Sequence, residues 1–471
     1  MGTDPRDVRR AGGIVPSIMG RSRDPRSASR AIAIVVCVAL VAWAGIATAA
    51  VVSTRLVPQV AAASSPAPPT PAPAVPSGSA AAPSPALTPA PAPTAPPSGA
   101  EEPLGRPRVT TVPIRDRLQA ELDSMRQRLG IPGVSATIVF RDGTTWTGNS
   151  GLADVGNKVP VADDTAFALG SVSKTYTAAL ILALAGDGAI NLDAPAATYL
   201  PEMGLDPMIT VRMLLDHTSG LDDYFLHASI DKALQADRAA AWSIRRTLRF
   251  VAKPYFPPGT GWHYSNTNYL YLGLIAERAT KSTLGVALNE RFFAPLGLDA
   301  TWYQTAEEPR ARTAHGYRLV GTSRTATPID LSDGTPVVPF TSVVTASAGA
   351  GSIAATSADV ATWARLLYTG KVLGPDMTAQ MLGDVAATAG YSPRVPYGLG
   401  VQAFSIDGRP TVGHSGRLLG FRAAMRHLPG EGTTIAVLTN QSRADPGAIV
   451  QRLLSVVFAP EPDCLRCQNP S

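Results

Sequence analysis

The stretch Ala166–Asp187 reads AFALGSVSKTYTAALILALAGD. An apolar run ends at Gly170, Ser171 follows, Lys174 lies three residues on, and Ala178–Ala185 is apolar on every side of any helix it forms. A helix without a polar face belongs in an interior. Lys174, one turn from Ser171 and on the same face, is therefore carried toward surroundings that disfavour its charged form. Only six of the 41 basic residues are Lys, so the chain takes Arg wherever it merely needs charge. A serine beside a desolvated amine is a nucleophile beside its base. The alternative is a helix cap at Ser171 and a lysine that snorkels outward. A second Ser-x-x-Lys, Ser229–Lys232, is the control: it opens a charged stretch with Asp231, Asp237 and Arg238 and has no long apolar run on either side. Capping and solvation account for that copy.

Outward from this stretch, the chain divides by composition. Residues 1–30 carry seven Arg and three Asp without helix or strand periodicity and read as a basic cytoplasmic tail. Ala31–Val52 is free of charge and, at about 33 Å as a helix, is long enough to span a bilayer. Arginines just before it orient the span with the remainder exported, which gives a single-pass cell-membrane protein with an extracytoplasmic domain. The alternative is a signal peptide cleaved near Ala47-Thr48-Ala49, leaving a secreted protein. Residues 53–112 form a linker of Ala, Pro, Ser and Thr, with 13 prolines between Pro66 and Pro97; such a segment builds no core and favours extended polyproline structure.

Residues 113–460 are the folded domain and 461–471 a C-terminal tail. Beyond Val112 the charges balance at 31 basic against 31 acidic residues, which removes the electrostatic footprint of a nucleic-acid binder. The six His lack ligand spacing, so neither a metal nor another cofactor is expected. Cys464 and Cys467 in the tail are placed to close a small disulfide in an exported protein, with their redox state open. Ile114, Leu118, Leu122, Met125 and Leu129 mark one face of an opening helix that stops at Gly130. Strands are expected at Val134–Phe140, Thr144–Thr147, Gly398–Ser405, Pro410–His414, Phe421–His427 and Thr434–Asn440, and a closing helix at Ile449–Phe458. Strands from both ends with helices between them give an α/β fold of the α+β type: an antiparallel sheet completed by the two termini, flanked by helices, beside a mostly helical lobe.

Two further stretches belong with Ser171 and Lys174. Pro257–Ile275 (PPGTGWHYSNTNYLYLGLI) places Tyr264 and Asn266 in a loop entering a helix, and Val412–Phe421 (VGHSGRLLGF) places His414, Ser415 and Gly416 near a strand end. Taken in order, Ser171-Val172-Ser173-Lys174, Tyr264-Ser265-Asn266 and His414-Ser415-Gly416 resemble the three motifs of the serine β-lactamase and penicillin-binding protein family. Tyr in the second motif is similar to the class C β-lactamase and D-alanyl-D-alanine carboxypeptidase branch. Leu214–Leu221 and Gly349–Leu367 also look like connecting segments of the family.

The resemblance implies a β-lactamase/transpeptidase-like fold preceded by the N-terminal transmembrane helix, and a serine hydrolase. Ser171 would be the acylated nucleophile, Lys174 its base and Tyr264 the acid and base for the leaving group and water, while Asn266 holds the substrate amide. His414 stands where many relatives have Lys and would offer a titratable positive field to a substrate carboxylate. Ser415 and Gly416 would line the substrate, and the oxyanion hole would combine the N–H groups of Ser171 and Arg417. The implied donors are a peptidoglycan stem peptide, a β-lactam or an ester. Anchoring through residues 31–52 puts D-alanyl-D-alanine carboxypeptidase first, ahead of a class C-like β-lactamase or esterase. A penicillin sensor or wall-binding module is the alternative of another class.

Overall fold

Residues 112–320, 327–383 and 396–459 are described by the computed structural model. Five longer helices frame the domain: α1 (Ile114–Leu129), α2 (Ser173–Gly186), α3 (Asn266–Thr280), α4 (Ser357–Tyr368) and α5 (Pro446–Val457). The expected opening helix is α1, with Leu118, Leu122 and Met125 buried. Gly130 ends it in the left-handed conformation at φ 62, which a residue without Cβ adopts at little cost.

Seven strands pair into one antiparallel sheet: β1 (Gly133–Val139), β2 (Thr145–Asp154), β3 (Val159–Pro160), β4 (Gln402–Ile406), β5 (Arg409–Leu418), β6 (Phe421–Leu428) and β7 (Thr433–Thr439). Their spatial order is β4-β5-β6-β7-β1-β2-β3. The first and last strands of the chain therefore meet at its centre, in register from Val134↔Thr439 to Val139↔Thr434. Every residue of β1 and β7 is buried, because both sheet faces are covered. Val134, Ala136, Ile138, Ile435 and Val437 share a core with Leu118, Leu122, Ile449 and Leu453 of α1 and α5. On the opposite face Ser135 and Thr137 hydrogen-bond Ser357 Oγ of α4 at 2.8 and 2.7 Å. Asn440, fully buried just after β7, clips the junction: its Oδ1 accepts from Gly133 N at 2.7 Å and its Nδ2 donates to Leu152 O at 3.0 Å.

Several boundaries differ from the sequence reading for identifiable reasons. The expected strand at Gly398 begins at Gln402, because Gly398–Val401 is a tight turn with Gly400 at φ 79. β2 runs on to Asp154, paired with β1 as far as Gly133↔Gly151. β5 continues to Leu418, so the His414-Ser415-Gly416 motif lies within a strand. The middle of the chain is mostly helical but also carries a four-stranded sheet, in the order Thr301–Tyr303, Ile353–Ala355, Thr165–Ala168, Arg312–Thr313. Strands of two to four residues leave too short a pattern to read from sequence. α2 is as expected of an all-apolar helix: Ser173–Ala183 is buried throughout.

The expectation of a transmembrane helix is corrected. Among the described residues no helix is long and apolar enough to cross a membrane, and residues 31–52 lie outside the described residues, as do the tail, linker and both terminal cysteines. Among the described residues the fold is an α/β arrangement of sheets flanked by helices with no membrane-spanning helix, and the single-pass location and membrane partner are not retained.

Asn440→Ala should lower unfolding stability by about 1–3 kcal/mol, since it leaves the Gly133 N–H and Leu152 C=O buried without this partner. Urea unfolding at constant slope measures it; an unchanged midpoint would mean that the strand pairing does not depend on the clip.

Candidate active site

The short strand Thr165–Ala168 delivers the chain to Gly170, which turns it at φ 52 into a 3-10 turn, Gly170–Val172, continuous with α2. Ser171 is thereby set at the N-terminal end of a buried helix, and Lys174 points back toward it. All three ammonium donors of Lys174 are occupied: Ser171 Oγ at 3.2 Å, Asn266 Oδ1 at 2.7 Å and Ala350 O at 2.9 Å. Lys174 is 0% exposed, and burial pushes its pKa down to about 7, against a smaller upward pull from the Asp223 carboxylate. By contrast, Ser229 and Lys232 are exposed, and Ser229 Oγ meets His227 Nδ1 at 3.0 Å.

The second motif is held by its surroundings. The His217 Nδ1 accepts from Ser265 N at 3.2 Å and faces Asn268 Nδ2 at 3.1 Å. Its ring lies 4.4 Å from that of Tyr264, so His217 packs as a structural support of the second motif. Lys174 Nζ stands 5.1 Å from the Tyr264 ring centroid. Tyr264 Oη is buried without a hydrogen-bond partner among the described residues. Burial raises its pKa strongly, and the nearby Ser171 side chain opposes this. A phenol held neutral there is a proton donor in need of an acceptor.

The third motif departs from the expectation for His414. The imidazole is 1% exposed, with Nδ1 bonded to Ser415 O at 2.7 Å and Nε2 to Tyr397 Oη at 2.8 Å. A carbonyl only accepts, so Nδ1 carries the proton and Tyr397 donates to Nε2. Burial, with Lys174 nearby, drives the His414 pKa down to about 3. The ring is neutral across the neutral range and offers no titratable positive field to a carboxylate. A buried charge on this strand pair is Arg426 of β6, 3% exposed, donating to Ser415 Oγ at 2.6 Å, Gln402 Oε1 at 3.2 Å and Met425 O at 2.7 Å. No carboxylate pairs with it among the described residues, and burial lowers its pKa to about 9.

Two glycines let β5 approach the serine. A Cβ on Gly416 would collide with the Leu169 carbonyl oxygen, and one on Gly170 would fall 2.6 Å from the Arg417 carbonyl. The backbone of Arg417 therefore lies directly against the residue before Ser171, and its side chain is exposed.

Sequence reading missed Asp223, Tyr397, Arg426 and the Ala350 carbonyl. A carboxylate after the His217 segment was visible as Asp222-Asp223, but nothing local distinguishes the two. Three ligand-type residues that spacing did not connect, Asp154, His315 and Asp330, converge within 4.8 Å of one another. The imidazole there faces Asp330 with Nδ1 at 2.8 Å and Asp154 with Nε2 at 3.8 Å, so both ring nitrogens are turned toward carboxylates.

A family model described as Beta-lactamase matches residues 118–456. The chain belongs to the beta-lactamase family. It is a serine hydrolase by that membership and fold. Penicillin-binding protein 4 of Amycolatopsis lactamdurans is 31% identical over 343 residues, 68% of this chain and 84% of that protein. Esterase EstB of Burkholderia gladioli is 32% identical over 207 residues, 41% of this chain and 53% of the esterase. Among solved structures, D-amino acid amidase from Ochrobactrum anthropi SV3 aligns at 25% identity with a TM-score of 0.63, over 73% of this chain and 98% of that one.

The buried histidines should make this beta-lactamase family member less stable in acid. Burial lowers the pKa values of His217, His414 (to about 3) and His427 (to about 4) from 6.5. Below 6.5 the unfolded chain binds protons at these histidines that the folded one refuses, so their contribution to stability is full above 6.5 and falls as pH drops toward 4, by about 1.4 kcal/mol per pH unit for each such His. Burial raises the pKa values of Asp223 and Asp359, which acts in the opposite sense as pH falls through their folded values. Urea midpoints at pH 7, 5.5 and 4.5 should decline in that order; a flat series would contradict the buried neutral histidines.

Proposed function

We propose that this chain hydrolyses acyl donors through an acyl-enzyme on Ser171, and that its donors are D-amino-acid peptides ending in a free carboxylate, which makes D-alanyl-D-alanine carboxypeptidase the specific reading. The observation that carries the first half is the Ser171–Lys174 pair, with an amine brought to about 7, near the optimum for a base at neutral pH. Lys174 in its neutral form takes the Ser171 proton as Oγ bonds the carbonyl carbon. Tyr264 donates to the leaving nitrogen as the C–N bond breaks, and then helps water attack the ester. The N–H groups of Ser171 and Arg417, brought near each other by the close backbone approach that Gly170 and Gly416 permit, would receive the carbonyl oxygen.

Support for the acidic donor comes from Arg426. A buried guanidinium without a carboxylate, bonded to Ser415 Oγ, is a fixed cation lacking its counter-ion, and a substrate carboxylate at Ser415 supplies one. Ser415 and Asn266 then hold the donor from opposite sides. A second reading, hydrolysis of neutral D-amino-acid amides, rests on the extent of the likeness to the D-amino acid amidase. An esterase is favoured by nothing in the cleft beyond the likeness to EstB. Membrane placement no longer contributes to the choice.

Intact-protein mass spectrometry with a D-Ala-D-Ala peptide, a penicillin, a D-amino-acid amide and a short aryl ester tests the reading. The peptide should turn over with release of D-Ala, penicillin should add once at Ser171 and never at Ser229, and Ser171→Ala should abolish both. Arg426→Gln should depress peptide turnover far more than ester turnover. Labelling of the Ser171→Ala protein would sink the nucleophile assignment; turnover of the amide in preference to the peptide would favour the second reading.

A further inference from the structure

We propose that Asp223 is a positioning residue of this site, fixing Asn266 with its carbonyl toward Lys174 and thereby setting the Lys174–Ser171 pair. The inference rests on the Ser171–Lys174 reading above. Asp223 is 4% exposed. Its Oδ1 accepts from Phe225 N at 3.1 Å, Asn266 N at 3.2 Å and Asn266 Nδ2 at 3.2 Å, and its Oδ2 accepts from Asn266 Nδ2 at 3.0 Å. Asn266 Oδ1 in turn accepts from Lys174 at 2.7 Å, and Lys174 donates to Ser171 at 3.2 Å. The result is an unbroken line of polar contacts, Asp223 to Asn266 to Lys174 to Ser171.

A primary amide has a donor end and an acceptor end. Turned over, Asn266 would set its NH2 against an ammonium and its carbonyl against a carboxylate, with repulsion on both sides. The ionised Asp223 and the amine together therefore define which way the amide points. Capping the turn Tyr224–Leu226 through Phe225 N does not require this: an Asn or Ser side chain serves as well at such a position. The two bonds to a side chain 43 residues away are what a cap leaves unexplained.

Asp223 also acts on Lys174 through its charge. Around the ammonium stand Ser171 on its own turn, Tyr264, Asn266 and Tyr269 from the second-motif loop and α3, Ala350 O, His217 from the loop before Asp223, and His414 from β5. Both histidines are neutral and the tyrosines are protonated, so Asp223 is the carboxylate that raises the Lys174 pKa against burial. Around Asp223 itself lie Tyr224, Tyr264 and Tyr255, whose Oη is 3.4 Å from Asp223 N.

The test is the pH dependence of Ser171 acylation by a penicillin, read by stopped-flow and mass, in wild type, Asp223→Asn and Asp223→Glu, with thermal melts alongside. Asp223→Asn keeps the cap and should melt near wild type. Its acylation plateau should drop, and its acid limb should move to lower pH by about one unit or more, as loss of a nearby counter-charge eases deprotonation of the amine. Asp223→Glu, which keeps the charge, should hold the limb closer to the wild-type position. If Asp223→Asn does not fold, Asp223→Ser, which retains a capping oxygen, carries the same readout. A limb that stays at the wild-type pH in the charge-removed variant would reduce Asp223 to a cap. A wild-type protein never acylated on Ser171 would instead overturn the reading on which this inference rests.

Discussion

The ammonium of Lys174 is the most demanding group in the structure. Removing a charge of that kind from water costs several kcal/mol unless it is paired and hydrogen-bonded. Here each of its three donors meets an acceptor from a different part of the chain: Ser171, Asn266 and Ala350. Satisfying one amine thus joins the start of α2, the start of α3 and the turn Ala348–Ala350. The neutral amine tolerates the same surroundings more easily than the ammonium does, so the packing that unites these segments also poises Lys174 near neutrality. Folding and reactivity make the same demand on this residue.

The rest of the site depends on the sheet. β7 pairs with β1 at the centre, which brings the C-terminal hairpins into a sheet begun at the N-terminal end of the domain and sets β5 beside the Gly170 turn. Contact there is backbone to backbone, since Gly416 and Gly170 present no Cβ. Side chains would have held the strand away from Ser171. β5 pairs with β6 through Arg417↔Arg422 and, farther along, with β4 as far as Gly413, so the Arg417 backbone is held in a strand instead of a free loop, which suits the oxyanion role proposed for its N–H.

What the sequence revealed follows from the range over which each signal acts. Ser171 with Lys174, and Tyr264 with Asn266, were legible because each pair lies within one turn of chain and next to a helix. α1 and the hairpins were legible because their apolar periods are long. The Thr165–Ala168 strand was not, being four residues in a sheet of short pieces. Asp223 and the Ala350 carbonyl escaped because one is a common residue type and the other a backbone atom; only the fold brings them to Lys174. His414 was visible as a residue but not as an environment: its position suggested a charge, and its burial against Tyr397 removes it. The apolar run at residues 31–52 is legible as composition, but no described helix can cross a membrane, and membrane placement does not bear on the donor.

In the cleft the charges separate by function. His414 and His217 are neutral well below neutral pH, and Tyr264 and Tyr397 stay protonated well above it. Arg426 keeps its charge across the neutral range, with a pKa lowered only to about 9. Lys174 is therefore the group of this set that changes protonation near pH 7. A Lys in place of His414 would have set a second ammonium near the first, and each would have made the other harder to charge. The neutral histidine leaves Lys174 to titrate under burial and one carboxylate, while a cation one strand away supplies a field that pH does not alter. On the proposed function, recognition of an anionic donor and activation of the serine would fall to separate groups, and an acidic and a neutral donor would meet the same base but not the same field.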